Sequence, residues 1–179
     1  MGIAVLYGSS RRQGNSDTLA NQLVGGAEAD QIYLSDYNLQ AIDDYRHTER
    51  GAYPDDDYQM LINRILEQDV LVFATPIYWY GMSGVMKTFV DRWSQSLVED
   101  RAHFKTKMST KTAYVIAVGD DEPQEKGKPL IQQFQYIFDF AGVTFAGYIL
   151  GKGNKPGEIL QDTEAQIAVE KLRGSLHSR

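Results

Sequence analysis

Residues 3–20 read IAVLYGSSRRQGNSDTLA. The first five are β-prone and apolar without alternation, the pattern of a strand buried on both faces of a parallel sheet. A loop of small residues, hydroxyls and two arginines follows. Ser16 then stands as a candidate N-cap before Leu19, Leu23 and Val24, so the reading is a helix over 16–28, weakened at its end by Gly25-Gly26. In an open α/β sheet, ligands bind beyond the C-terminal strand ends, where a helix N-terminus offers oriented N–H groups to an anion. The loop has the chemistry of a phosphate site. Gly8 and Gly14 allow close backbone approach, Ser9, Ser16 and Thr18 bring hydroxyls, Asn15 an amide, and Arg11 or Arg12 a charged fork. No Gly-Lys-Ser/Thr closes it and no GxGxxG is present, which points to the phosphate of a mononucleotide.

Further strands are read at Val70 to Thr75, Ala113 to Val118 and Val143 to Leu150, with a weaker one at Asp30 to Leu34. Helix-length segments alternate with them at Asp57 to Gln68, Ser83 to Trp93, Lys128 to Ala141 and about Gln161 to Leu176. In the first of these, Met60, Leu61, Ile65 and Leu66 form the apolar stripe, and Asp55-Asp56-Asp57 are loop and helix-start charges that complement the dipole. Alternation of this kind defines a doubly wound three-layer α/β domain. Two connections, Ser35 to Asp56 and Gln95 to Thr112, are read as long loops, a lid or an interface.

The chain has 179 residues, no Cys and a formal charge of −6. That length predicts one domain over residues 1–179. The acidic balance and the lack of a Lys/Arg block argue against a nucleic-acid partner. Without Cys there is no disulfide, thiolate nucleophile or iron–sulfur ligation, so redox chemistry requires a borrowed cofactor. His47, His103 and His177 have no ligand spacing, and no metal site is expected. With neither a positive n-region nor an apolar run of ~20 residues, the expectation is a cytoplasmic protein that avoids membranes.

Two further loops follow strand ends. Thr75-Pro76-Ile77-Tyr78-Trp79-Tyr80-Gly81-Met82-Ser83-Gly84 carries three successive aromatics that cannot all enter a core. At least one is presented at the surface, as a stacking platform for a flat ligand. Gly119-Asp120-Asp121-Glu122-Pro123 is an acidic turn beside the other two loops.

GSSRRQGNSDTLA and TPIYWYGMSGVMKTFVDRW together resemble the two FMN loops of the NADPH-dependent FMN reductase family, from Met1 to about Leu150. The second segment is the more specific. The resemblance implies a flavodoxin-like three-layer sandwich with a five-stranded parallel sheet in the order 2-1-3-4-5. It implies that Ser9, Arg11, Asn15, Ser16 and Thr18 hold the FMN phosphate. Pro76, Ile77, Tyr78, Trp79, Gly81, Met82 and Ser83 would line the ring and ribityl chain, with Gly119 and Asp120 closing the third side. Related iron–sulfur flavoproteins carry a cysteine cluster where this chain reads Ala41 to His47 without Cys, so no cluster forms here. The acidic third loop is a second departure.

The implied activity is FMN-dependent NAD(P)H oxidoreduction, with NADPH or NADH as donor and a quinone, free flavin, nitro or azo compound as acceptor. The chemistry resides in FMN, so no catalytic side chain is assigned. Backbone N–H groups from Trp79 to Ser83 would favour negative charge on the ring, and acid at Asp120, Asp121 or Glu122 would oppose it. The alternative is a flavodoxin-type electron-transfer protein without NAD(P)H turnover, and a third reading is a flavin-stabilised sensor. The resemblance also implies a homodimer or homotetramer, with 95–112 as the contact.

Overall fold

The structure, a computed structural model, describes residues 1–45 and 51–177. Its strands are β1 (Ile3–Tyr7), β2 (Asp30–Tyr33), β3 (Val70–Pro76), β4 (Thr112–Gly119) and β5 (Thr144–Lys152). Its helices are α1 (Asn15–Val24), α2 (Tyr58–Leu66), α3 (Gly84–Asp91), α4 (Trp93–Ser109), α5 (Pro123–Lys126), α6 (Lys128–Ala141) and α7 (Thr163–His177). All pairings are parallel and the order is β2-β1-β3-β4-β5, the expected doubly wound topology. The sheet divides two cores. Ala4, Leu6, Leu71 and Phe73 face α2, α3, α4 and α6, whereas Ile3, Val5, Tyr7 and Val72 face α1 and α7. Phe73 is central to the first core, its ring 5.3 Å from Phe138 and 5.5 Å from Phe134. Each such buried side chain contributes about 1.5–3 kcal/mol.

Five local expectations need correction. The N-cap of α1 is Gly14, extended at φ −74° and ψ 177°, and Ser16 lies inside the first turn. That helix ends at Val24 because Gly25 turns left-handed (φ 63°) and its amide bonds to Asn21 O. In α2 the buried stripe is Tyr58, Leu61, Ile62, Ile65 and Leu66, at the i, i+3/i+4, i+7 spacing, and Met60 lies off it, 43% exposed.

The segment expected as a loop at Gln95 to Thr112 is mostly α4. Asp100 breaks it with φ −151° and ψ 83°, then caps the second half by accepting from His103 N. Its buried residues, Trp93 and Gln95 before the break and Phe104 and Met108 after it, leave the middle charged and exposed. No continuous stripe marks it as a helix.

Asp56, read as a helix-start charge, is a buried ion-pair partner of Arg92. Arg92, fully buried, also donates to Gln40 O and Gln95 Oε1, while Asp56 accepts from the amides of Gln40 and Tyr58. Burial works against the charge on Asp56, but Arg92 and these amides outweigh it and hold the carboxyl below its ordinary range. With the reciprocal Asn38 and Asp57 bonds, this clasp ties the long connection after β2 to the start of α4. His47 lies outside the described residues. His103 and His177 are exposed, and among the described residues no cluster of three metal-ligating side chains forms. No helix is long and apolar enough to cross a membrane among those residues.

Candidate functional site

Parallel strands place the C-terminal ends of β1, β3 and β4 side by side, and the three loops singled out in the sequence leave from that edge. A cleft of about 250 Å³ opens there. On one side are Ser9, Arg11, Gly14, Asn15 and Ser16; opposite them are Pro76, Ile77, Tyr78, Gly119 and Asp120. A neighbouring hollow of about 240 Å³ shares Ile77, Gly119 and Asp120 and extends past Trp79 and Tyr80 to Asp121 and Lys126.

The first loop is shaped from within. Ser9 Oγ accepts from Arg11 N at 3.0 Å, closing the turn, and Thr18 Oγ1 donates to Gly14 O. Thr18 therefore secures the N-cap and is not in the cleft wall. Of the two arginines left open by the sequence, Arg12 is engaged: its guanidinium lies 3.4 Å from the centroid of the Tyr33 ring and pairs with Asp36. Arg11 has no ion-pair partner among the described residues and borders the cleft. The first-turn N–H groups of α1 lack intrahelical acceptors, so this end combines donors with a positive dipole and one available cation.

Asn15 is turned elsewhere. Its Nδ2 donates to Lys155 O at 3.0 Å, and its Oδ1 accepts from Gly157 N at 3.0 Å. The segment after β5 is thereby drawn in, and Gly153 and Asn154 become a further wall. Sequence reasoning missed that wall. Its signal was present in Gly151-Lys152-Gly153-Asn154-Lys155-Pro156-Gly157, a turn-rich stretch at another strand's C-terminal end.

The aromatic loop is a two-residue hairpin. Tyr78 and Gly81 exchange backbone bonds at 3.0 Å, and Trp79 and Tyr80 between them have φ of 48° and 64°. Positive φ at both central residues defines a type I′ turn, usually made by Asn and Gly. All three aromatics reach solvent, Trp79 at 97% exposure. Tyr80 Oη donates to Asp121, which also pairs with Lys126. These two bonds hold the Asp121 carboxyl below its ordinary range and offset part of the third loop's charge.

Gly81, Met82 and Ser83 do not line either hollow. Met82 is buried in the first core, and Ser83 N-caps α3, its Oγ accepting from Met86 N. The amides of Gly81 and Ser83 are already bonded, to Tyr78 O and Thr75 Oγ1. Those of Trp79 and Tyr80, at the second hollow, have no acceptor among the described residues and are the donors left for a ligand. Gly119 keeps the junction open, since a Cβ there would lie 3.1 Å from Ile77 Cβ.

A donor-rich, cationic end joined to an aromatic, glycine-floored end fits FMN. Phosphate suits α1 and Arg11, and a flat ring suits Ile77 to Tyr80. The fold and this site define a flavodoxin-like protein of the flavin-nucleotide-binding class. The sequence profile of the NADPH-dependent FMN reductase family matches residues 1–147, and the chain belongs to that oxidoreductase family, which works with FMN and NAD(P)H. It is 54% identical, over 174 residues and 96% of each chain, to YwqN of Bacillus subtilis (strain 168), described as an NAD(P)H-dependent FMN-containing oxidoreductase. The solved Trp repressor binding protein from Bacillus subtilis matches at 49% identity with a TM-score of 0.80, covering 95% of this chain and 96% of that one. An FMN-dependent NADH-azoreductase from Bacillus anthracis, solved in complex with FMN, shares the fold at 14% identity, with a TM-score of 0.67 and coverage of 98% and 99%.

Proposed function

We propose that this chain is a cytoplasmic FMN-dependent NAD(P)H oxidoreductase that delivers two electrons to a small acceptor, a quinone, free flavin, nitro or azo compound. The observation that carries the reading is the continuity of the α1 cleft with the Trp79 hollow through Ile77 and Gly119. FMN, when bound, supplies hydride chemistry. The chain's own work is positioning. Arg11, the α1 amides and the Ser9 and Ser16 side chains would hold the phosphate, and Pro76, Ile77, Tyr78 and Gly119 would line the ring. The free amides of Trp79 and Tyr80 would favour negative charge on the ring. Neutralisation of Asp121 by Lys126 limits the opposing field of the acidic turn.

Thr18, Gly81 and Ser83 act indirectly in this reading, by fixing the backbone that presents those donors. A second copy of the chain covers the exposed Trp79 region, giving a homodimer or homotetramer. The test is steady-state oxidation of NADPH and NADH by the FMN-loaded protein across a panel of quinone, nitro and azo acceptors. Turnover with one class at a kcat/KM at least tenfold above the others identifies the acceptor, and no turnover with any of them contradicts the proposal. Light scattering at micromolar concentration should give a dimer or larger; a monomer contradicts that part.

A further inference from the structure

Asn15 looks like a phosphate ligand in the sequence, yet its amide faces away from the loop's own turn and into the segment after β5. Nδ2 donates to Lys155 O, and Oδ1 accepts from Gly157 N and, at 3.5 Å, from Ile159 N. The segment is fastened at other points too. Gly153 N bonds to Gly119 O at 2.9 Å, Asn154 Nδ2 to Asp120 Oδ2 at 3.3 Å, and Glu158 accepts from the amides of Asn154 and Lys155. Residues 153–159 thus form a strap from the acidic third loop to the start of α1. The fit is close, because a Cβ on Gly153 would come within 2.8 Å of Asn15 Nδ2. The strap lies wholly beyond the residues matched by the family profile, 1–147, although it walls the same cleft.

We propose that Asn15 is a positioning residue that retains the flavin nucleotide by locking the 153–159 strap over the side of the cleft, without itself bonding the phosphate. This rests on the cleft being the FMN site. All three bonds satisfy strap backbone groups, so removal of the amide frees the strap at its middle while Gly119 and Asp120 still hold one end and the buried Ile159 the other. An open strap admits water beside the bound nucleotide and lets it leave sideways. The consequence is kinetic, falling on release more than on capture.

Gly157 separates this from direct phosphate contact. It lies outside the cleft wall and adopts φ +87°, with no atom within 4 Å of an added Cβ, so Gly157→Ala strains the strap's backbone without filling the site. The experiment measures FMN and riboflavin association, and release by rapid dilution with flavin fluorescence as signal, for wild type, Asn15→Ala, Gly157→Ala and the double variant. Circular dichroism verifies that each is folded. Loss of the amide's bonds is expected to speed FMN release by roughly tenfold or more, with association changed by less than about threefold. Gly157→Ala should reproduce much of that effect, and the double variant should add little to Asn15→Ala.

Riboflavin, which lacks the phosphate, should show the same proportional acceleration. Normal release from Gly157→Ala, with Asn15→Ala weakening FMN but not riboflavin, would mean direct phosphate contact and overturn the proposal. Fully additive effects in the double variant would also overturn it. Should Asn15→Ala fail to fold, Gly157→Ala alone still decides, since unchanged release from it contradicts a retaining strap. Failure of wild type to bind FMN is a different result, and removes the FMN reading itself.

Discussion

Asp17 shows how a single residue beside the cleft responds to its surroundings. It is 1% exposed, with Oδ2 unpartnered and Oδ1 3.4 Å from Ser16 Oγ. Burial raises its pKa above the ordinary 3.8, against the weaker pull of the Gly14 and Gln13 amides, Ser16 and Arg12. The folded state therefore binds a proton more tightly than the unfolded chain. Its contribution is fully present below the unfolded pKa and is lost as pH rises through the folded value. Asp17→Asn should remove this slope, so the stability difference, variant minus wild type, should grow between pH 4 and the raised value in urea denaturation series. A flat difference would contradict a buried, reluctantly ionised carboxyl. At this scale the sequence was legible in residue type but not in direction. Ser9, Asn15 and Thr18 are the polar residues a phosphate loop needs, yet neighbours far along the chain, such as Lys155 and Gly157, decide where an amide points.

Elements were legible where one physical signal dominated. Buried parallel strands read as unbroken apolar runs, and β1, β3 and β4 stand close to their expected limits. Helix α4 was illegible because its buried residues are split by the break at Asp100, and the Arg92–Asp56 clasp because it joins residues 36 positions apart. Breaking a buried pair leaves an uncompensated charge, so Arg92→Met should lower stability at neutral pH by about 3–5 kcal/mol. Because Asp56 is held below its ordinary range, the pair's contribution is present above the unfolded pKa and fades as pH falls. The urea midpoints of variant and wild type should therefore converge in acid, and a constant gap would contradict this account. The Trp79-Tyr80 turn makes a prediction of opposite sign. Replacing the pair by Asn-Gly relieves two left-handed side-chain-bearing residues and should stabilise the fold by about 1 kcal/mol, while removing the exposed ring and the Tyr80–Asp121 bond. Higher stability with slower NAD(P)H oxidation is expected; unimpaired turnover would exclude a role for the aromatic turn.

For the whole molecule, topology and function were legible together, because the strand order sets three loops on one edge and the composition of two of them fits a flavin nucleotide. The strap was not, since it is drawn to that edge by Asn15 and Asp120 rather than by the order of the strands. Family membership establishes the oxidoreductase class, and the cleft with its aromatic extension is where that chemistry is placed. That placement is tested most directly by anaerobic rapid mixing of the FMN-loaded protein with NADPH and, separately, NADH, following the visible flavin band. Bleaching within seconds by at least one nucleotide, slowed in Arg11→Ala protein loaded to the same FMN occupancy by no more than about threefold but slowed tenfold or more in the Asn-Gly turn variant, is the predicted result. An FMN-loaded wild type that neither nucleotide bleaches would contradict the account and favour a carrier that receives its electrons from another protein.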